Sequence, residues 1–342
     1  MNPAFSVIFL TTLIGAGQGL FLALLAVETG IVGTGATAAF FATGDFVALA
    51  FLVSGLVASF FHLGHPERAW RAVAMWRTSW LSREVIALPL FMLLVALHGW
   101  GHYTGGAYTV AIGVAGAVLC FALFYITAMN YVCLKFLQEW ATPLTIVNYT
   151  LLGCASGFTL AAALAAMMHM PTANALAGWA LLLTVAAAVA RVASLLRNAR
   201  IHPKSTLQSA IGVRHPHIVQ KAQGFMGSSF NTREFFHGKT RQVVQSVKWG
   251  FLLLAFVAPV VLLAFYYFAA VNAAAIVSGA FIVQYAGLLA ERWFFFCASE
   301  PSAKPVLPGG VVTPRATSTR AYSPLMPISF TVFAHRAISP RT

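Results

Sequence analysis

Residues 59–86 read SFFHLGHPERAWRAVAMWRTSWLSREVI, and this stretch decides the fold. An apolar run from Phe46 to Phe61 ends at His62, and the chain then turns at Gly64 and Pro66. It passes four arginines (Arg68, Arg71, Arg77 and Arg83) and becomes apolar again at Val85. The segment on each side is long enough to cross a bilayer, which takes roughly 20 helical residues. His62 and Glu84 are therefore expected at one membrane face, one leaving a helix and the other beginning the next.

Composition supports a membrane chain. Of 342 residues, 59% are hydrophobic and 8% charged, with mean hydropathy +0.80, where a soluble domain carries about a quarter charged residues. Eight spans are expected, over Phe5–Val27, Thr43–Phe61, Val85–Trp100, Ala107–Ala128, Leu144–Met168, Asn174–Ala190, Gly250–Phe268 and Val271–Phe296. The fold class is all-α, an eight-helix polytopic bundle, with the last two helices forming a tight hairpin. Four cysteines (Cys120, Cys133, Cys154, Cys297) form no CxxC pair, so they read as structural buried thiols. The first segment has no basic n-region or small-residue cleavage site, and it reads as a retained span.

The basic residues set the orientation. The net charge of +13 would suit nucleic acid, but its distribution suits a membrane. The 21 lysines and arginines fall in the second, fourth and sixth loops and after the last helix, with Arg191 at the edge of the sixth loop and Arg292 counted after the last span. With eight spans these regions share one side, which the positive-inside rule makes cytoplasmic together with both termini. A bacterial inner-membrane location follows as an expectation. The opposite side holds Glu28, Asp45 and a few histidines.

Three segments bear on packing and partners. Gly15-x-Gly17-Gln18-Gly19 lies inside a span, so it reads as a close helix contact, not a dinucleotide loop. Gln18, polar at membrane depth, needs an internal partner: a neighbouring helix or a bound headgroup. The loop 197–248 is long and basic, with His202, His215, His217 and His237 in no metal-site spacing and an aromatic pair, Phe235–Phe236. It fits a docking surface for another subunit or a loop touching lipid headgroups. The chain divides into an anchor domain, 1–298, and a tail, 299–342, rich in Pro, Ser, Thr and Arg and lacking a core of its own.

His62 and Glu84 are the chemical candidates. A histidine at a helix C-terminus is ordinary dipole chemistry, and Ser82 with Glu84 reads as ordinary N-terminal capping. Yet a titratable base and acid at the hydrocarbon edge can exchange protons with water while facing an apolar ligand, which suits a quinone. Arg68, Arg71 and Arg83 join them as candidate proton-path or partner contacts, against a plain topological role. Asn148 and Trp140, at the start of the fifth helix, are candidates for the same pocket wall. A b-type haem needs histidines inside facing helices. His98 and His102 straddle the end of the third span and His169 ends the fifth, so no haem is expected. A secondary transporter is the alternative, but broken helices in matching halves are not found.

His62-Leu-Gly-x-Pro-x-Arg68 followed by Ser79-Trp-Leu-Ser-Arg-Glu84 resembles the signature of the dimethyl sulfoxide reductase anchor subunits, the DmsC family, which includes the similar anchor of cytoplasmic-facing sulfite dehydrogenases. The resemblance implies that His62 and Glu84 are quinol-site residues and that no haem is present. It also implies an iron–sulfur subunit and a molybdopterin catalytic subunit docked on the basic face, which alone carry the clusters and molybdenum. Electrons would pass between menaquinone or ubiquinone and the docked subunit.

Overall fold

A computed structural model gives the architecture and describes residues 4–61, 63, 65–202, 209, 212, 239–269 and 273–299. His62, most of the basic loop including His215, His217 and His237, and all of the tail beyond Ser299 lie outside the described residues. Nine α-helices are described: α1 Phe5–Glu28, α2 Ala38–Phe60, α3 Trp80–Thr104, α4 Thr109–Val132, α5 Pro143–Met167, α6 Ala173–Ala199, α7 Arg241–Leu252, α8 Ala258–Phe268 and α9 Ala274–Cys297. A π-helical turn, Leu253–Val257, makes α7 and α8 one continuous span, so eight segments are long and apolar enough to cross a membrane. A 3-10 helix, Pro66–Met75, carries the loop between α2 and α3.

Most helices start earlier or end later than hydropathy places them. Thr37 caps α2 by accepting from Phe40 N, so Asp45 lies inside that helix. Ser79, not Ser82, caps α3, accepting from Ser82 N at 3.4 Å, and Glu84 consequently sits beyond the first turn. At its far end α3 runs to Thr104, so His98 and His102 lie within the helix and do not straddle its end. α6 extends past its expected end through Arg191, and α9 carries Glu291 and Arg292 within the bounds expected for the last span. Both arginines are buried helix residues, not members of the basic loops. Capping and buried polar pairing satisfy these ends, so an apolarity window stops short of them.

Two helices form the centre. α1 and α5 are mostly buried, whereas the other six spans expose much of their apolar surface, the arrangement expected in lipid. The glycine run of α1 makes the close contact expected of it. A Cβ at Gly17 would come within 3.0 Å of the Ala48 carbonyl on α2, and one at Gly19 would collide with the Gly153 carbonyl on α5. Gly157 on α5 likewise meets the α1 backbone at Gly19 and Leu20. Three cysteines are buried as expected, but Cys133 is exposed.

Candidate functional site

α3 turns Glu84 inward one turn beyond its capped end, where the carboxylate is 7% exposed. Two residues of α4, on successive turns, hold it. Thr127 Oγ1 donates to Oε1 at 2.7 Å, and Asn130 Nδ2 donates to Oε2. Two donors fix the plane of the Glu84 carboxyl group.

Glu84 lines a small cavity between α1, α3, α4, α5 and α9. Thr11, Thr12 and Gln18 reach it from α1, and Tyr149 and Ser156 from α5. Ile14, Phe124, Leu152 and Leu288 supply apolar wall, and Arg292 closes it from α9. Gln18 Nε2 donates to the Cys120 carbonyl at 3.1 Å, so its partner at membrane depth is the α4 backbone. Polar atoms at the edge of an apolar wall are the kind of lining that organic headgroups use.

A second small cavity shares Tyr149 and Arg292 with the first and also touches Glu139, Asn148, Arg191, Ser194 and Glu291. Here Arg191 Nη2 lies 2.7 Å from Glu291 Oε1, and Arg292 Nε lies 3.1 Å from Glu291 Oε2. The Arg292 guanidinium rests 3.9 Å from the Tyr149 ring centroid, and Tyr149 stacks on Tyr131 at 5.5 Å. The two guanidiniums share the Glu291 carboxylate, Glu139 lines the same cavity, and aromatic faces add cation–π contacts. Asn148 donates to Ser194 at 2.7 Å and belongs to this second cavity. Trp140 is buried nearby and donates to the Phe295 carbonyl, outside both linings.

The arginines of the α2–α3 loop sit apart from Glu84. Arg68 and Arg71 are exposed on the 3-10 helix. Arg83 bonds the carbonyls of Trp76 and Arg77 at 2.9 and 2.8 Å, and its guanidinium lies 4.1 Å from the Trp80 ring centroid. It clamps the loop onto the start of α3. Of the residues expected at the site, the structure joins Glu84 with Gln18 in one cavity and places Asn148 in the adjoining one. Sequence reasoning missed Thr127, Asn130, Tyr149, Arg191, Glu291 and Arg292. The available signal was ionisable residues inside apolar spans, which mark functional sites.

Comparison with known proteins fits this geometry. The family model for the DMSO reductase anchor subunit (DmsC) matches residues 1–298. The sulfite dehydrogenase C subunit of Allochromatium vinosum is 51% identical over 312 residues, covering 86% of this chain and 95% of that protein. With eight apolar helices and a family match over residues 1–298, this multi-pass membrane chain belongs to the DMSO reductase anchor subunit (DmsC) family.

Proposed function

We propose that this chain is the quinone-reactive anchor of a molybdenum–iron–sulfur oxidoreductase of the sulfite dehydrogenase type. It would sit in a bacterial inner membrane with both termini cytoplasmic. The observation that carries the reading is Glu84, buried and held by two donors on the wall of a cavity lined by both polar and apolar residues. The name of the 51% identical relative favours sulfite oxidation by the partners, with quinone as acceptor at this chain.

The residues fit a quinone. Ile14, Phe124, Leu152 and Leu288 accept an apolar ring, while Gln18, Thr12 and Glu84 offer polar atoms at its edge. A bound quinone supplies two-electron acceptor chemistry and takes up two protons as it is reduced. Thr127 and Asn130 orient the Glu84 carboxyl, whose task is to pass a proton to a headgroup oxygen. His62, placed by sequence one loop away, is the group that would reprotonate it from the aqueous face. Arg292 and Tyr149 line the same cavity as Glu84. Iron–sulfur and molybdopterin subunits would dock on the cytoplasmic side, to which the charge pattern of the sequence assigns the α2–α3 loop and the loop 197–248.

The secondary-transporter alternative has no support in the family match. In the assembled complex, Glu84→Gln and His62→Ala are each expected to lower sulfite-dependent quinone reduction at least tenfold while partner subunits remain bound. Unchanged turnover in both variants would sink the site assignment.

A further inference from the structure

The opposite end of α3 carries a second polar cluster that quinone chemistry does not use. His98 and His102 lie one turn apart on the same helix face, facing Glu28 at the end of α1 and Asp45 on α2. His98 is fully buried, with Nδ1 2.7 Å from Asp45 Oδ2 and Nε2 2.9 Å from Glu28 Oε2. His102 Nε2 lies 3.1 Å from Glu28 Oε1, a contact without hydrogen-bond geometry. Asp45 Oδ1 is also buried with no hydrogen-bond partner. Thr109 on α4 faces the same Glu28 carboxylate.

The surroundings are fitted to this cluster. Phe41 stacks on the His102 ring at 4.5 Å, and Phe21 packs edge-on to His98 at 5.3 Å. A Cβ at Gly99 would meet Asp45 Cβ at 2.8 Å, and one at Gly113 would lie 3.2 Å from His98 Nε2. Helices α3 and α4 therefore approach the cluster only because both positions are glycine.

Charge identifies the occupant. Two carboxylates with two neutral imidazoles make a site of charge −2 in a medium of low dielectric, and burying such charge uncompensated is costly. One divalent cation brings the sum to zero. Two imidazole nitrogens and a carboxylate oxygen form a donor set suited to zinc, and three protein ligands leave a fourth position for water. The ligand atoms of Glu28, His98 and His102 all lie within 4.8 Å of one another. Tetrahedral zinc at ~2.0–2.1 Å from each would set them ~3.3 Å apart. Asp45 on Nδ1 fixes the His98 tautomer that leaves Nε2 free to ligate, as carboxylates behind metal-bound histidines do.

We propose that Glu28, His98 and His102 bind one divalent transition-metal ion of the zinc class, with Asp45 as the positioning residue behind His98. The ion would pin the end of α1 to the end of α3. The competing occupant is a proton, with His98 held as an imidazolium between two carboxylates.

The test uses the full-length chain in detergent with its bound partners, exposed to chelator, dialysed and titrated with Co²⁺ alone. Expected are one added equivalent per chain with the visible bands of four-coordinate Co²⁺, bleaching on Zn²⁺ addition, and a raised Tm. Asp45→Asn is expected to weaken binding ~10–100-fold, and His102→Gln to abolish the bands. A variant with His202, His215, His217 and His237 all changed to Ala is expected to keep them, which decides the case even where His102→Gln fails to fold. No Co²⁺ spectrum in the native-sequence chain would overturn the site in favour of the proton. Loss of the spectrum in the loop variant would overturn it in favour of the loop.

Discussion

Glu84 and Glu291 are both buried carboxylates near one end of the bundle, but they are held by different chemistry. Neutral donors hold Glu84, whereas two guanidiniums hold Glu291. Removing one side of a buried ion pair strands the other charge, at a cost of about 3–5 kcal/mol. Glu291→Gln is therefore expected to lower the Tm of the purified chain sharply, and a Tm within a degree or two of the parent would show that the arginines find other anions. Glu84 was legible because it opens a span next to an arginine loop with a recognisable motif. Thr127, Asn130, Arg191 and Glu291 were not, because they arrive from α4, α6 and α9, and only folding brings them to the cavities. Counting Arg191 and Arg292 as loop charges also hid the one strongly charged cluster among the described interior residues at that end.

At the scale of elements, hydropathy located every span and misplaced most ends. Polar first turns such as Ser79–Arg83 and polar last turns such as His98–Thr104 lower the local mean, although the helix continues through them. The glycine seam was legible from spacing, but its partner on α5 was not, since nothing local ties Gly19 to Gly153 and Gly157. Backbones in such contact leave no room for a side chain, and overpacking a tight core is destabilising. Gly157→Leu is expected to prevent α1 and α5 from closing, read as loss of monodisperse protein in size-exclusion chromatography. Elution like the parent would mean that the seam opens freely. The π turn at Leu253–Val257 lies just before Pro259, which cannot donate to the Ala255 carbonyl, and it packs against Gly287 on α9, where a Cβ would strike the backbone of Leu254 and Ala255. No hydropathy window registers such a bulge.

For the whole molecule, the even number of spans puts both ends of the chain on one side. Reporter fusions at the N-terminus and after residue 298 are expected to give the same cytoplasmic signal. Truncation after Ser299 is expected to leave all eight spans inserted, and a changed signal at either end would contradict the orientation read from charge. A docking face is an expectation from excess positive charge alone, and most of the loop 197–248 and the tail beyond Ser299 lie outside the described residues. The length of α3 bears on energy conversion. Glu84 and His98 are 14 residues apart on that helix, ~21 Å at 1.5 Å per residue. Between them α3 buries Ala87, Leu88, Phe91 and Val95, and Phe21 packs edge-on against both Phe91 and His98. Along this helix the bundle behaves as the insulator of a capacitor with a plate at each end. On the quinone reading, electrons from the docked subunits and protons from the arginine-rich face meet on the same plate. Each turnover then moves no net charge through α3, and reduction at Glu84 adds nothing directly to the membrane voltage.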